Sequence, residues 1–273
     1  MRRNLEVLVS SLEKDPRLLI SHMNLECDAV IVNQGYKDVS YELKTENGLN
    51  IKLFESTERG VGRSRNKALD LADSKIVLFS DDDIVYSKGY AEKILKAFSA
   101  DPDADIIMFN VDVCEERRTY HIDKPVTVHK WSVGRYPCYA AAVRLENVRK
   151  AGVRFSLLFG GGAKYSSGED NLFFMDCLRA GLNIKAVPVT IGREEPREST
   201  WFKGYNDKYF FDRGVLFSFL YGNQAQLWAL RYALVKKKMY GNSAKFADAL
   251  RLMKAGIAEG HSLISGSGRT GSI

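Results

Sequence analysis

Over the first 110 positions apolar residues gather into short unbroken runs, and each run stops at polar groups. Leu5 to Ser10 (LEVLVS), Ala29 to Val32 (AVIV), Ile51 to Phe54 (IKLF), Ile76 to Phe79 (IVLF) and Asp105 to Asn110 (DIIMFN) suit strands covered on both faces. Between them the spacing turns helical. Asp15-Pro16 supplies an N-cap and a first-turn proline for a helix to Met23. The stretch from Arg63 places Ala68, Leu69, Leu71 and Ala72 at helical intervals. Ser87 to Ala100 sets Tyr90, Ile94, Leu95 and Phe98 on one face. Strands alternating with helices predict an α/β chain with a mixed, mostly parallel sheet flanked by helices.

Beyond position 110 the pattern is more broken. Cys114 to Lys130 is charged and β-like. Val143 to Gly152 predicts a short helix, and Gly160-Gly161-Gly162 either approaches a ligand closely or simply loops. Leu172, Phe173, Met175 and Leu178 suit a core-facing helix that opens on Gly168-Glu169-Asp170. Asn183 to Val189 predicts an edge strand, because Pro188 has no N–H for a ladder. A charged loop from Ile191 to Thr200 then leads to the aromatic stretch Trp201 to Phe211. Val215 to Val235 and Ser243 to Ile257 read as apolar helices separated by Lys236-Lys237-Lys238, and a disordered tail is expected at 263–273.

Composition sets outer bounds. A chain of 273 residues, 45% apolar, can bury a sizeable core. Its formal net charge of +6 fits nucleic acid, an anionic membrane surface or a phosphorylated substrate. The basic residues are dispersed and carry no recognition motif, so nucleic acid is not expected. Cys27, Cys114, Cys138 and Cys177 have neither zinc-type spacing nor disulfide density and read as reduced thiols. With no signal peptide and no apolar run near the roughly 20 residues of a spanning helix, the expectation is a cytoplasmic protein, with any membrane contact peripheral on the inner face.

The chemistry is concentrated at Ser80-Asp81-Asp82-Asp83. Three acids ending a buried strand lie at the sheet edge where open α/β folds bind ligands. They repel one another unless a cation stands among them, and hard oxygen donors suit Mg²⁺ or Mn²⁺. A solvated acidic turn is the plain alternative. Gly60 and Gly62 precede a helix N-terminus which, with Arg63 and Arg65, makes an anion site. They are not a dinucleotide fingerprint, since the third glycine is missing and they do not follow their strand directly. Asn33-Gln34 ends the second strand, where polar groups could meet a base or ribose or merely form a turn. Glu169 and Asp170 read equally as a helix cap. Trp201 is the aromatic chosen as a ligand contact, while Asp112 and His121 read as surface residues.

Taken in order, these pieces resemble the inverting family-2 glycosyltransferases of the GT-A fold, over about Leu5 to Phe217. Gly60 to Ala68, with Arg65 and Asn66, is similar to that family's arginine-asparagine helix start. Asp81-Asp82-Asp83 stands where the family has Asp-x-Asp, and Gly168-Glu169-Asp170 where it has its Glu-Asp pair. Ser199-Thr200-Trp201-Phe202 resembles a segment of a capsular-polysaccharide subgroup. The resemblance implies a Rossmann-like GT-A domain over 1–213, with a nucleotide-binding half at about 1–110 and an acceptor half at about 111–213, followed by a helical appendage over 214–262.

It further implies a nucleotide-sugar donor, first of all a UDP-sugar, held by Asn33, Gln34, Arg63, Arg65, Asn66, Asp81 and Asp82. Asp83 with Asp81 would hold Mn²⁺ or Mg²⁺, and no late histidine adds to them, Arg193 standing in that neighbourhood. Asp170 would be the base, with Gly168, Glu169 and Trp201 on a saccharide or lipid-linked saccharide acceptor. A membrane or polysaccharide-assembly partner is compatible with this. Two rival readings are a sugar nucleotidyltransferase, which VSSLEKDP does not favour because it is no glycine-rich loop, and a catalytically silent binding subunit with the same fold.

Overall fold

The computed structural model describes residues 4–35, 37–114, 120–195, 204–241 and 243–266. In chain order the elements are β1 (Leu5–Leu12), α1 (Pro16–His22), β2 (Asp28–Gln34), β3 (Val39–Lys44), β4 (Asn50–Ser56), α2 (Val61–Leu71), β5 (Ile76–Asp81) and β6 (Ile84–Tyr86). There follow α3 (Tyr90–Ala100), β7 (Ile106–Asp112), β8 (Val126–Thr127), β9 (Ala141–Arg144), α4 (Leu145–Lys150), α5 (Glu169–Arg179) and β10 (Ile184–Glu194). The last helices are α6 (Asp207–Tyr221), α7 (Ala225–Val235), α8 (Lys237–Tyr240) and α9 (Phe246–Gly266). The chain divides into two compact units, Met1–Phe155 with Phe173–Glu198, and Ser156–Leu172 with Ser199–Ile273.

The first unit holds one mixed sheet in the order β3-β4-β2-β1-β5-β9-β7-β10-β6, with β8 beside β10. Its heart is the parallel run β4-β2-β1-β5. The antiparallel β9 reverses direction between β5 and β7, so that β7 and β10 again point the same way as β5. Among the described residues, six of the ten strands therefore share one direction. The central strands are buried on both faces, as their continuous apolar runs require. Helix α2 covers β1 and β2, and α3 lies on β10. At the start of α1 the carboxylate of Asp15 accepts the N–H of Arg17 at 2.9 Å, the cap that Asp-Pro predicts.

Several elements depart from the sequence reading. β3 is an edge strand whose residues alternate between half-buried and exposed, so it lacks the apolar run that marks its neighbours. Residues Ala141–Arg144 form a strand, and the helix predicted from Val143 starts only at Leu145. β10 is not an edge strand: it pairs with β7 on one side and with β8 and β6 on the other. Pro188 is accommodated because β8 pairs only with Lys185 and Ala186 and β6 only with Gly192 to Glu194, while the β7 register shifts between Ala186 and Thr190. The missing N–H falls in that gap. The same strand absorbs Ile191 to Glu194, the start of the loop expected there.

In the second unit, α6 begins at Asp207, ahead of the helical region expected from 214, where the Asn206 side chain caps it by accepting the Tyr209 N–H at 2.9 Å. α9 runs on through Gly266, into the stretch expected as a tail. These two helices pack closely because glycines line their contact. A Cβ at Gly214 would fall on the Met253 carbonyl oxygen, and one at Gly256 on that of Phe211.

Candidate functional site

The acid triplet occupies the tight connection between β5 and β6 in the first unit. Because β5 is parallel to β1, with Ser10 level with Asp81, the acids emerge beside the C-terminal end of β1. Asp81 is paired with the largely buried guanidinium of Arg65 at 3.0 Å. Asp82 is buried and accepts the Leu12 N–H at 3.2 Å, turned toward the end of β1. Asp83 is also buried, and its carbonyl accepts the Glu195 N–H at 2.8 Å, fastening the acid turn to the end of β10. Desolvation, followed by the negative charges of Glu194, Asp81 and Asp83 and by nearby Tyr120, holds the Tyr139 hydroxyl well above the ordinary tyrosine range. Tyr139 and Glu194 thus share the electrostatic surroundings of the acids. Nothing in their local sequence marks them for it, because only the antiparallel insertion of β9 and the length of β10 bring them there.

The neighbouring strand ends are tied together by amides. Asn33 accepts from the Ser11 hydroxyl at 2.9 Å and the Lys14 N–H at 3.2 Å, and donates to the Lys14 carbonyl at 2.9 Å. Gln34 accepts the Gly60 N–H at 2.7 Å, which fixes the residue preceding α2. Gly60 sits at φ 133°, a backbone state that disfavours other residues. Both amides therefore make hydrogen bonds within the protein. Within α2, Ser64 donates to Ser10 Oγ at 3.0 Å, and Asn66 grips the backbone of Phe155 from both sides, donating to its carbonyl at 2.9 Å and accepting its N–H at 2.8 Å. Arg63 remains exposed near Glu58, at 3.5 Å. Asp112 and His121 are both exposed, with His121 beside Asp123 at 3.4 Å.

In the second unit, Gly168 precedes α5 at φ 117°, and a Cβ there would lie 2.5 Å from Leu216 Cδ2. That position requires glycine on two counts, conformation and space. Glu169 is buried and accepts the Gly168 N–H at 3.2 Å, and Asp170, half-buried, accepts the Asn171 N–H at 2.7 Å. Both acids therefore lie in the first turn of α5. Arg213 of α6 lies over the rings of Tyr209 and Tyr232, and its guanidinium donates to Tyr209 Oη at 3.1 Å. Burial opposes its charge, but Tyr209, Tyr232 and the Asp170 carboxylate outweigh that and hold its pKa above the ordinary value. Buried Asp212 accepts from Lys208 at 2.7 Å and from the Ser166 N–H at 2.9 Å. The sequence reading missed both Arg213 and Asp212, since inside an aromatic helix they look like surface charges. Trp201 and the segment Ser199 to Phe202 lie outside the described residues.

As donors for a cation, Asp81 and Asp83 offer the hard oxygens that Mg²⁺ and Mn²⁺ take. Among the described residues no three His, Cys, Asp or Glu side chains form a group able to hold a metal ion. Of the two carboxylates, Asp81 is already paired with the Arg65 guanidinium.

Comparison with known proteins shows the family and the fold. The sequence profile of glycosyl transferase family 2 matches residues 4–155, more than half of the chain. The chain belongs to glycosyl transferase family 2. Among curated proteins it is 30% identical over 100 residues to a protein of Escherichia coli (strain K12) described as uncharacterized glycosyltransferase YibD, a match covering 35% of this chain and 28% of that relative's length. Among solved structures it is similar to S. aureus TarS 1-349 in complex with UDP-GlcNAc, with a TM-score of 0.63 and 15% identity over 98% of this chain and 93% of that one. It is also similar to the mannosyltransferase PcManGT of Pyrobaculum calidifontis in complex with GDP-Man and Mn²⁺, with a TM-score of 0.53 and 16% identity over 98% and 80% of the respective chains. At these identities the likeness shows the fold, which is GT-A as the sequence resemblance implies.

Proposed function

We propose that this family-2 protein is a metal-dependent inverting glycosyltransferase that moves a sugar from a nucleoside-diphosphate sugar, first of all a UDP-sugar, to a hydroxyl of a saccharide or lipid-linked saccharide in surface-polysaccharide synthesis. The observation that carries the reading is the acid turn at the C-terminal edge of the parallel run, paired with Arg65, in a chain whose family is shown. The two solved relatives named above were captured with nucleotide-sugars, which supports a donor of that class.

In the proposed reaction Asp170 takes the proton of the acceptor hydroxyl as its oxygen bonds to the anomeric carbon. The bond from that carbon to the diphosphate breaks, and the nucleoside diphosphate leaves with the electron pair. One displacement inverts the centre. Asp81 and Asp83 would hold Mn²⁺ or Mg²⁺, which supplies Lewis-acid stabilisation of the leaving diphosphate. Arg63 and the first turn of α2 add positive potential for phosphate. Asn33, Gln34 and Asn66 are assigned to the donor side, and their side chains also hold the β1 end, Gly60 and Phe155. Gly168 and Glu169 shape the acceptor side, to which Trp201 is assigned as well.

The test is turnover of a panel of nucleotide-sugars with Mn²⁺, Mg²⁺ or EDTA, comparing the native chain with Asp170→Asn. Transfer should need the cation and fall at least about a hundredfold in the variant while donor binding persists, the scale expected for loss of a general base. Unimpaired transfer would remove Asp170 from the mechanism. A donor that binds without turnover under any condition would favour the silent binding subunit.

A further inference from the structure

Helix α7 in the second unit leaves its aliphatic residues outside. Its buried positions are Ala225, Ala229 and Ala233, its aromatics Trp228 and Tyr232 pack half-buried against Tyr221 and Phe217 of α6, and its large aliphatic residues are exposed. Leu227 is 69% exposed, Leu230 41%, Leu234 57% and Val235 62%, and Met239 of α8 is 56% exposed. Leu227, Leu230 and Leu234 follow the i, i+3, i+7 spacing that puts side chains on one helix face. Half of the ten large hydrophobic residues exposed among the described residues fall in these thirteen positions. Single exposed leucines are ordinary, but a contiguous stripe of them marks a contact surface.

The charges beside the stripe indicate the partner. Between Asp212 and Asp248 the chain has no acidic residue, while it carries Arg213, Arg231, Lys236, Lys237, Lys238 and Lys245. Arg231 is exposed on α7 with its guanidinium over the Trp228 ring at 5.4 Å, and Lys237 and Lys238 are exposed just after the apolar stripe. An apolar stripe in a segment of the chain whose only charges are cations matches a bilayer whose headgroups are negative: the leucines enter the acyl boundary and the lysines meet phosphates. A protein groove would fill the leucines equally well, but nothing in a neutral groove would call for the lysine triplet that follows them in the chain. Among the described residues no helix is long and apolar enough to cross a membrane, so the contact is one of lying on the surface.

We infer that the α7–α8 face docks the protein on an anionic phospholipid surface. The inference goes beyond the proposed reaction and rests on α7 and α8 alone, so nucleotide-sugar turnover fails or succeeds independently of it. The test is flotation of the full chain with vesicles of phosphatidylcholine alone or mixed with phosphatidylglycerol. The protein should float with the anionic vesicles and not with the neutral ones. The triple change Lys236→Ala, Lys237→Ala, Lys238→Ala should weaken binding about a hundredfold, at roughly fivefold per lysine near an anionic surface. Leu227→Ser, Leu230→Ser, Leu234→Ser should abolish binding with little effect on melting temperature, because these side chains already face out. Absence of binding to anionic vesicles, equal binding to neutral ones, or unchanged binding by the lysine variant would each overturn the inference. So would a dimer seen by light scattering that the serine variant dissolves, since that would assign the face to a second copy.

Discussion

Arg65 of α2 places its guanidinium 3.0 Å from Asp81, so the acid turn is partly neutralised by its own fold. The two residues come from different elements that meet only because α2 packs against the parallel strands. Any cation at Asp81 must then share that carboxylate with Arg65. Replacing Arg65 by methionine leaves a half-buried carboxylate without its guanidinium and should destabilise the protein by about 2–3 kcal/mol, as expected for breaking such a pair. It should also increase the stabilisation gained from Mn²⁺ in thermal melts, because the ion can then replace the lost charge. An Mn²⁺ shift equal to that of the native chain would argue against a cation at Asp81.

Asn66 is gripped on both sides by the backbone of Phe155, an arrangement only an amide can make, since one end must donate and the other accept. Asn66→Asp keeps the size and removes the donor, setting a carboxylate against a carbonyl oxygen. It should cost about 1–3 kcal/mol in urea unfolding, near the penalty for a buried polar group left unmatched. Wild-type stability would show that the clamp is incidental.

These two residues also show where sequence reading stops. The run Ile76 to Phe79 followed by three acids was legible because burial on both faces demands an unbroken apolar stretch, and the end of that stretch locates the sheet edge. The resemblance placed Asn33, Gln34 and Asn66 near a donor, but their amide partners Lys14, Gly60 and Phe155 are set by packing across many residues of chain. β6 is three residues long and β3 alternates with solvent, so neither leaves a distinctive pattern. Pro188 suggested an edge, yet the decisive fact was where β6 and β8 stop, which no local pattern encodes. Arg213 looked like a surface cation until helix packing set it between two tyrosine rings.

The cysteines should differ sharply in reactivity. Burial, only partly offset by the Tyr90 hydroxyl and reinforced by the charges of Asp28, Glu6 and Glu26, pushes the Cys27 thiol up to about 12, and burial raises Cys177 as well. At pH 8 roughly one Cys27 in ten thousand is thiolate, the reactive form. Cys114 is exposed. A disulfide reagent at pH 8 should label Cys114 first, half-buried Cys27 slowly because so little of it is thiolate, and buried Cys138 and Cys177 only on unfolding. The native thiol holds its proton where the unfolded one has released it, so the stability this contributes is present below about pH 9 and declines as pH rises through about 12. Fast labelling of Cys27 in the folded protein would contradict its raised thiol pKa.

The contact between α6 and α9 depends on Gly256, where an added methyl would strike the carbonyl oxygen of Phe211 and approach the Val215 nitrogen at 2.9 Å. Backbone atoms cannot turn aside as a side chain can, so the helices would have to separate. Gly256→Ala should destabilise by about 1–3 kcal/mol, the range for overpacking a close contact. Gly266→Ala is the matched control, since nothing lies within 4 Å of its added methyl at the end of the same helix. There the substitution should be neutral or stabilising by up to about 1 kcal/mol, because alanine loses less backbone entropy in a helix. Urea unfolding of the two variants side by side separates the steric effect from helix propensity. Equal stabilities would mean that α6 and α9 tolerate separation and that glycine is not what sets their spacing.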